Sequence, residues 1–261
     1  MLQLVARCKS IVDGQLAALE SHWPRPTSAD GVRVGDSLPY SIEAFIRSAK
    51  GKLGGLDEWT KRMVGLAVEA NRDSVDDRLA REIKRAIGVD VDHLLHANGP
   101  LLQAMKSATK DNVALISSIP EKYFGRVTET LTAGWTGGVR WESLVDQIQR
   151  DGDITENRAK FIARDQTAKM NESFNRERCT QVGIEQGEWL CSLDERTRPN
   201  HAAMEGVIYD LNGEGPLIND DGEPCFPGDD YNCRCTFAPH IDMGDAALGF
   251  GTNEQQEEIA S

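Results

Sequence analysis

Four of the six cysteines, Cys191, Cys225, Cys233 and Cys235, follow residue 190, and His201 lies among them. If 234–238 forms a strand, its two-residue period turns the Cys233 and Cys235 sulfurs to one face and the Arg234 guanidinium to the other. Strand neighbours i and i+2 are poorly placed for a disulfide with each other, whereas a tetrahedral zinc ion tolerates the wider sulfur spacing. Cys225, across the Pro227-Gly228 turn, offers a third thiolate and His201 a fourth ligand. The set is Cys3His, a composition typical of closed structural zinc sites. The same residues fit a second reading: reduced thiols in a small core, with His201 hydrogen-bonded to a neighbour.

The elements that must position these groups are legible around them. Glu188 to Leu193 alternates loosely and reads as a short strand leading into a polar turn at Asp194 to Arg198. A short helix follows, with Thr197 as N-cap, Pro199 in the first turn and Gly206 at the C′ position. His201 then sits in the first turn, where the positive end of the helix dipole disfavours imidazolium and leaves a ring nitrogen free to accept or to ligate. Asp194, Arg196 and Arg198 read most simply as an ion pair fixing the turn.

Trp189, Asp194, Arg196 and His201, followed by Gly206 and closed by a Pro-Gly loop running into Cys233-Arg234-Cys235, resemble the C-terminal signature of the phage Mu F-like minor head proteins. The resemblance extends upstream to Ile162-Ala163-Arg164-Asp165-Gln166-Thr167 and covers residues 113 to 239, about half the chain. It implies a virion protein of head morphogenesis, present in few copies, that meets the portal or the major capsid protein at the portal vertex or the capsid interior. The alternative is a zinc-dependent hydrolase of the phage head, with the metal held by His201 and the cysteines and with Asp194 or Glu205 as base. A thiolate-rich set favours a staple over an open catalytic site. The sequence also lacks the P-loop, the nucleophile elbow and the H-E-x-x-H helix, and the Gly-rich stretch at 213–228 is too acidic to cradle phosphates. No catalytic role is expected.

Charge narrows the partners. From Ile184 onward there are 17 acidic against three basic residues, a net of −14, which leaves +1 for residues 1–183 of a chain whose total is −13. Such a surface repels DNA, so the segment can lie beside packaged genome but does not read its sequence. No apolar run is long enough to cross a bilayer, and the first residues lack a signal peptide's apolar region and cleavage site, which predicts cytoplasmic synthesis and thiols kept reduced.

The fold class expected is α+β: a mainly helical N-terminal region and connector with a small mixed α/β C-terminal domain. Residues 1–56 read as N-terminal helices with a Pro- and Gly-rich linker over 24–40, and Ser41 as the cap of a short helix. Leu4, Cys8, Ile11 and Leu19 form an apolar stripe without an obvious partner and are expected to face the rest of the head. Residues 57–183 read as a long charged helix ending at Gly88, then a helix opened by the capping box Ser118-Ile119-Pro120-Glu121, a short helix closed at Gly152, and a connector with Ala159, Ala163 and Thr167 on its buried face. Arg164 and Asp165 beside that stripe are expected to pair in solvent, with a polar contact to the Asp194 turn or to another subunit as the alternative. Residues 184–240 form the small domain, and 241–261 an acidic tail.

Overall fold

The computed structural model describes residues 1–20, 23, 38–95, 99–137 and 139–241. The linker expected at 24–40 falls outside these residues as far as 37, and so does all of the acidic tail except its first residue.

The chain is α+β. Helix α1 (Leu2–Glu20) buries Leu4, Cys8, Val12, Leu16 and Leu19, spaced by threes and fours along one stripe. That stripe does not stand free. It packs against α2 (Leu38–Gly51), α5 (Gly99–Thr136) and α6 (Trp141–Gln181), so the expected open interface is part of the main core. Helix α2 starts three residues before Ser41, which therefore lies inside it and not at its cap. The GKLGG break ends at Gly55, and α3 (Leu56–Ile87) runs to Gly88, whose N–H bonds the Lys84 carbonyl at 3.0 Å. A single turn, α4 (Asp92–Leu95), follows.

Two expected helix boundaries are absent. Helix α5 continues straight through Pro120, and the Ser118 hydroxyl bonds back to the Leu115 carbonyl at 2.7 Å without capping a new start. The reason is tertiary. Ile116, Ile119, Tyr123, Phe124, Val127 and Leu131 form one unbroken buried face, and burying side chains of that size, at about 1.5–3 kcal/mol each, outweighs the roughly 3 kcal/mol that an interior proline costs. Likewise Gly152 lies within the 41-residue α6. The stem of Lys9 from α1 lies over it, within 3.3 Å of where a Cβ would sit, and Lys9 Nζ reaches Asp153 at 2.9 Å. At that position the glycine serves helix contact and does not end a helix.

The C-terminal segment is a three-stranded antiparallel sheet ordered β2-β1-β5, in which β1 (Gln186–Leu190) lies between β2 (Ile208–Asp210) and β5 (Thr236–His240). A one-turn helix α7 (Pro199–Ala202) connects β1 to β2, and the strands β3 (Leu217–Ile218) and β4 (Pro224–Cys225) pair on their own. This segment does not make its core alone. Trp189, Tyr209, Leu211 and Phe237 pack with Leu79 and Ile83 of α3, Val91 and Leu95 at α4, and Cys179 of α6. Helix α6 thus belongs to both cores, through Leu144 to Phe174 in one and Cys179 in the other. No helix among the described residues is long and apolar enough to cross a membrane.

Below the shared helix, α3 and α6 are locked by a buried ion pair. Arg178 is fully buried and donates from Nε to Asp76 Oδ1 at 2.7 Å and from a terminal nitrogen to Oδ2 at 2.8 Å. A third donor reaches Gln181 Oε1 at 2.8 Å. The bidentate fork matches a carboxylate and fixes the helices in register as well as in distance.

Candidate functional site

Three side chains converge where β1, α7 and the approach to β5 meet. His201, Cys233 and Cys235 place one ligand atom each within 4.8 Å of one another, and all three are buried. Nδ1 of His201 lies 3.5 Å from Cys233 Sγ and 3.6 Å from Cys235 Sγ. The sulfurs converge although the strand begins only at Thr236, so Cys233 and Cys235 belong to the extended approach to β5 and not to the strand expected there. Arg234 between them points the other way, as alternation requires, and its guanidinium meets Asp194.

Cys225 is not in this group; it lies in β4, paired with Leu217. The β3–β4 pairing fixes it to a separate small sheet, whereas sequence distance had suggested only proximity. Cys191, one residue past β1, comes closer. Its Sγ is 3.7 Å from Cys235 Sγ and donates to the His201 carbonyl at 3.0 Å.

The far side of the imidazole is held. His201 Nε2 is 3.1 Å from Asp230 Oδ2, and Arg198 Nη1 is 3.1 Å from the same oxygen. An ionised carboxylate only accepts, so the proton belongs on Nε2 and the Nδ1 lone pair faces the two sulfurs. Trp189 covers the ring edge-on, with centroids 5.8 Å apart. Cys233 is held below the usual thiol range by the hydrogen bond from the Cys235 thiol, against its own burial, with help from the N–H groups of Cys235 and Gly228. Cys235 moves in the opposite direction because its proton is the one donated to Cys233.

The turn residues are spent on structure. Asp194 Oδ1 accepts the N–H of Arg196 at 3.1 Å and the Thr197 hydroxyl at 3.3 Å and pairs with Arg234, while the Arg196 guanidinium is a distant 3.8 Å from Oδ2. Thr197 therefore serves the turn; Arg198 occupies the N-cap position with no side-chain cap bond. Gly206 lies beyond the helix end, at φ 75°, and donates to the Trp189 carbonyl at 2.9 Å. Only a glycine takes that backbone angle without strain. Glu205 accepts the N–H of Cys191. The cleft beside His201, Cys233 and Cys235 measures about 10 Å³, room for one water.

Two supporting residues escaped the sequence reading. Asp230 carried a weak signal, standing three residues before Cys233 in an acidic loop. Glu172 carried none, being a polar residue on a helix whose neighbours are distant in sequence. Asp165, expected to pair with Arg164 in solvent, is buried and accepts the N–H of Asn232 at 2.8 Å. Its charged partner is Lys169 at 3.2 Å.

Residues 125–238 match the family described as Phage Mu protein F like protein. The matched span takes in the last third of α5, all of α6 and the sheet as far as the first residues of β5. Two further similarities are to uncharacterized proteins. One, of Haemophilus influenzae, is 33% identical over 180 residues, which is 69% of this chain and 39% of that protein. The other, of Methanocaldococcus jannaschii, is 26% identical over 123 residues, covering 47% of this chain and 18% of that protein. The chain thus spans well under half the length of either relative. No solved structure matches.

Proposed function

Residues 125–238 belong to the phage Mu F-like family, and on that premise we propose that the protein is a minor head protein acting in phage head morphogenesis. It is carried in the virion and bound to the portal protein, the major capsid protein or both, near the portal vertex or on the capsid interior. The family match carries the reading, because it spans both the strut α6 and the whole cysteine-bearing module.

The way the signature residues are used supports an assembly role over turnover. Asp194 and Glu205, the two candidate bases of a hydrolase, are engaged by Arg234 and by the backbone of Cys191. The adjoining cleft, at about 10 Å³, has room for a water and is too small for a substrate. The excess of acid after Ile184 favours contact with protein over contact with packaged DNA.

The test is a phage lacking this gene, complemented in trans by wild-type protein or by His201→Ala. Loss of the gene should give few or malformed heads, and wild-type protein should co-sediment with assembled heads. Normal yields of filled heads without the protein would refute the assembly role. Nuclease or peptidase turnover, lost in a His201→Ala protein that keeps its fold and its place in heads, would instead assign an enzyme.

A further inference from the structure

We propose that His201, Cys233, Cys235 and Cys191 form a structural zinc site, with Asp230 as the positioning residue that orients the histidine. The inference is independent of the head-assembly reading.

Distances carry it. A tetrahedral zinc ion with sulfur at about 2.3 Å and nitrogen at about 2.0–2.1 Å sets its sulfurs about 3.8 Å apart and sulfur from nitrogen about 3.6 Å. The structure has 3.5 and 3.6 Å for the two sulfur–Nδ1 separations and 3.7 Å for Cys191 to Cys235. Without an ion these contacts are hydrogen bonds among the thiols and the imidazole, and their lengths already lie where a tetrahedral zinc ion needs them. The carboxylate on the opposite ring nitrogen is the arrangement that fixes the tautomer of a zinc-bound histidine, and Asp230 supplies it at 3.1 Å.

The fourth ligand is where sequence and structure part. Cys191 is at the edge of the group, its thiol turned to the His201 carbonyl. To ligate, its thiol would leave that carbonyl for the ion. Cys225 and Cys191 both lie outside the three-residue group, but Cys191 alone touches it through sulfur, at Cys235, while Cys225 lies in β4 paired with β3. As zinc binds, three Zn–S bonds and one Zn–N bond form, and the protons of those cysteines still carrying them pass to solvent. The ion would join helix α7 to the end of β1 and the start of β5, which already pair in the sheet. With four protein ligands and a cleft the size of one water, the site is closed, so it serves folding and not Lewis-acid chemistry.

The experiment uses the full chain, stripped of metal under reducing conditions and titrated with cobalt(II) and then zinc(II). About one equivalent should bind, with the visible bands of tetrahedral cobalt and thiolate charge-transfer absorption. Cys191→Ser should remove about a third of that absorption, since one of three thiolates is lost, and Asp230→Asn should weaken zinc binding about 10–100-fold with the absorption retained. Cys225→Ser should change neither. Far-ultraviolet dichroism, dominated by α1 to α6, shows whether each variant is folded. On the wild-type chain, zinc should slow alkylation of Cys191, Cys233 and Cys235 and leave the rate at Cys225 unchanged, which tests the ligand set without any variant. Absence of binding, or dependence on Cys225 in place of Cys191, overturns the assignment.

Discussion

The carboxylate of Asp165, midway along α6, accepts the backbone N–H of Asn232 at 2.8 Å across 67 residues of sequence. Asn232 stands immediately before Cys233 and has φ 55°, a left-handed angle that Asn tolerates better than most residues. The bond therefore fixes the backbone at the point from which Cys233 is aimed at His201. The longest helix thus places the loop that places the cysteine.

Asp165→Ala should destabilise the protein by about 1.5–3 kcal/mol, the contribution of a hydrogen bond to a charged acceptor. Asp165→Asn keeps a carbonyl acceptor and should lose less. The check is chemical denaturation of both variants alongside the alkylation rate of Cys233, which should rise in Asp165→Ala. Equal stability of wild type and Asp165→Ala would show that this bond does not anchor the loop.

Asp76 and Arg178 make a different prediction because both charges are out of water. Asp76→Ala strands a fully buried guanidinium and should cost about 3–5 kcal/mol. Replacing both partners, as Asp76→Leu with Arg178→Met, removes the desolvated charges together and should cost markedly less than the single change. Urea midpoints of the three proteins decide it; a double variant as damaged as Asp76→Ala would mean that the pair itself, and not the avoidance of a lone charge, stabilises the helix contact.

Glu172 predicts a pH dependence. Burial pushes its carboxyl up to about 8, against the pull of the Arg78 charge and of the Phe237 N–H that it accepts at 3.3 Å. The ordinary value is 4.5, so between these two values the folded protein holds a proton that the unfolded chain releases. The folded state binds more protons, so this group's contribution makes stability fall as pH rises from about 4.5 to about 8 and level off above. Glu172→Gln mimics the protonated form and should gain relative to wild type near pH 8 but not near pH 5, measured by denaturant midpoints. A wild-type to Gln difference that is the same at both pH values would place the charged form in the folded state. Gly228 faces this carboxyl at φ 83°, and a Cβ there would lie 2.7 Å from Glu172 Cγ, so the turn before the cysteines leaves no room for a larger residue.

The sequence by itself determined the periodic elements and the local chemistry. The α1 stripe, the long α3 with its Gly88 terminus, the strand around Trp189 and the turn at Asp194 all follow from residue type at short spacing, as does the facing of Cys233 and Cys235 away from Arg234. Such features depend on neighbours within one or two turns, and those neighbours are written in order along the chain.

Tertiary structure alone decided what depends on distant partners. Pro120 and Gly152 signal helix ends, yet a continuous apolar face in one case and the overlying Lys9 stem in the other keep α5 and α6 intact. The α1 stripe gave its own burial pattern but not what would cover it. From the sequence Cys225 was the expected third thiolate beside 233 and 235, but strand pairing decides otherwise: β1 lies beside β5, so Cys191 ends next to Cys235, while Cys225 goes with β3. Asp230 could not be chosen from among 42 acidic residues, and Asp165 stood in a recognisable motif without its partner, because burial and a contact dozens of residues away are what distinguish them. Residue spacing encodes which face a side chain takes, and only the packing of elements determines which two faces meet.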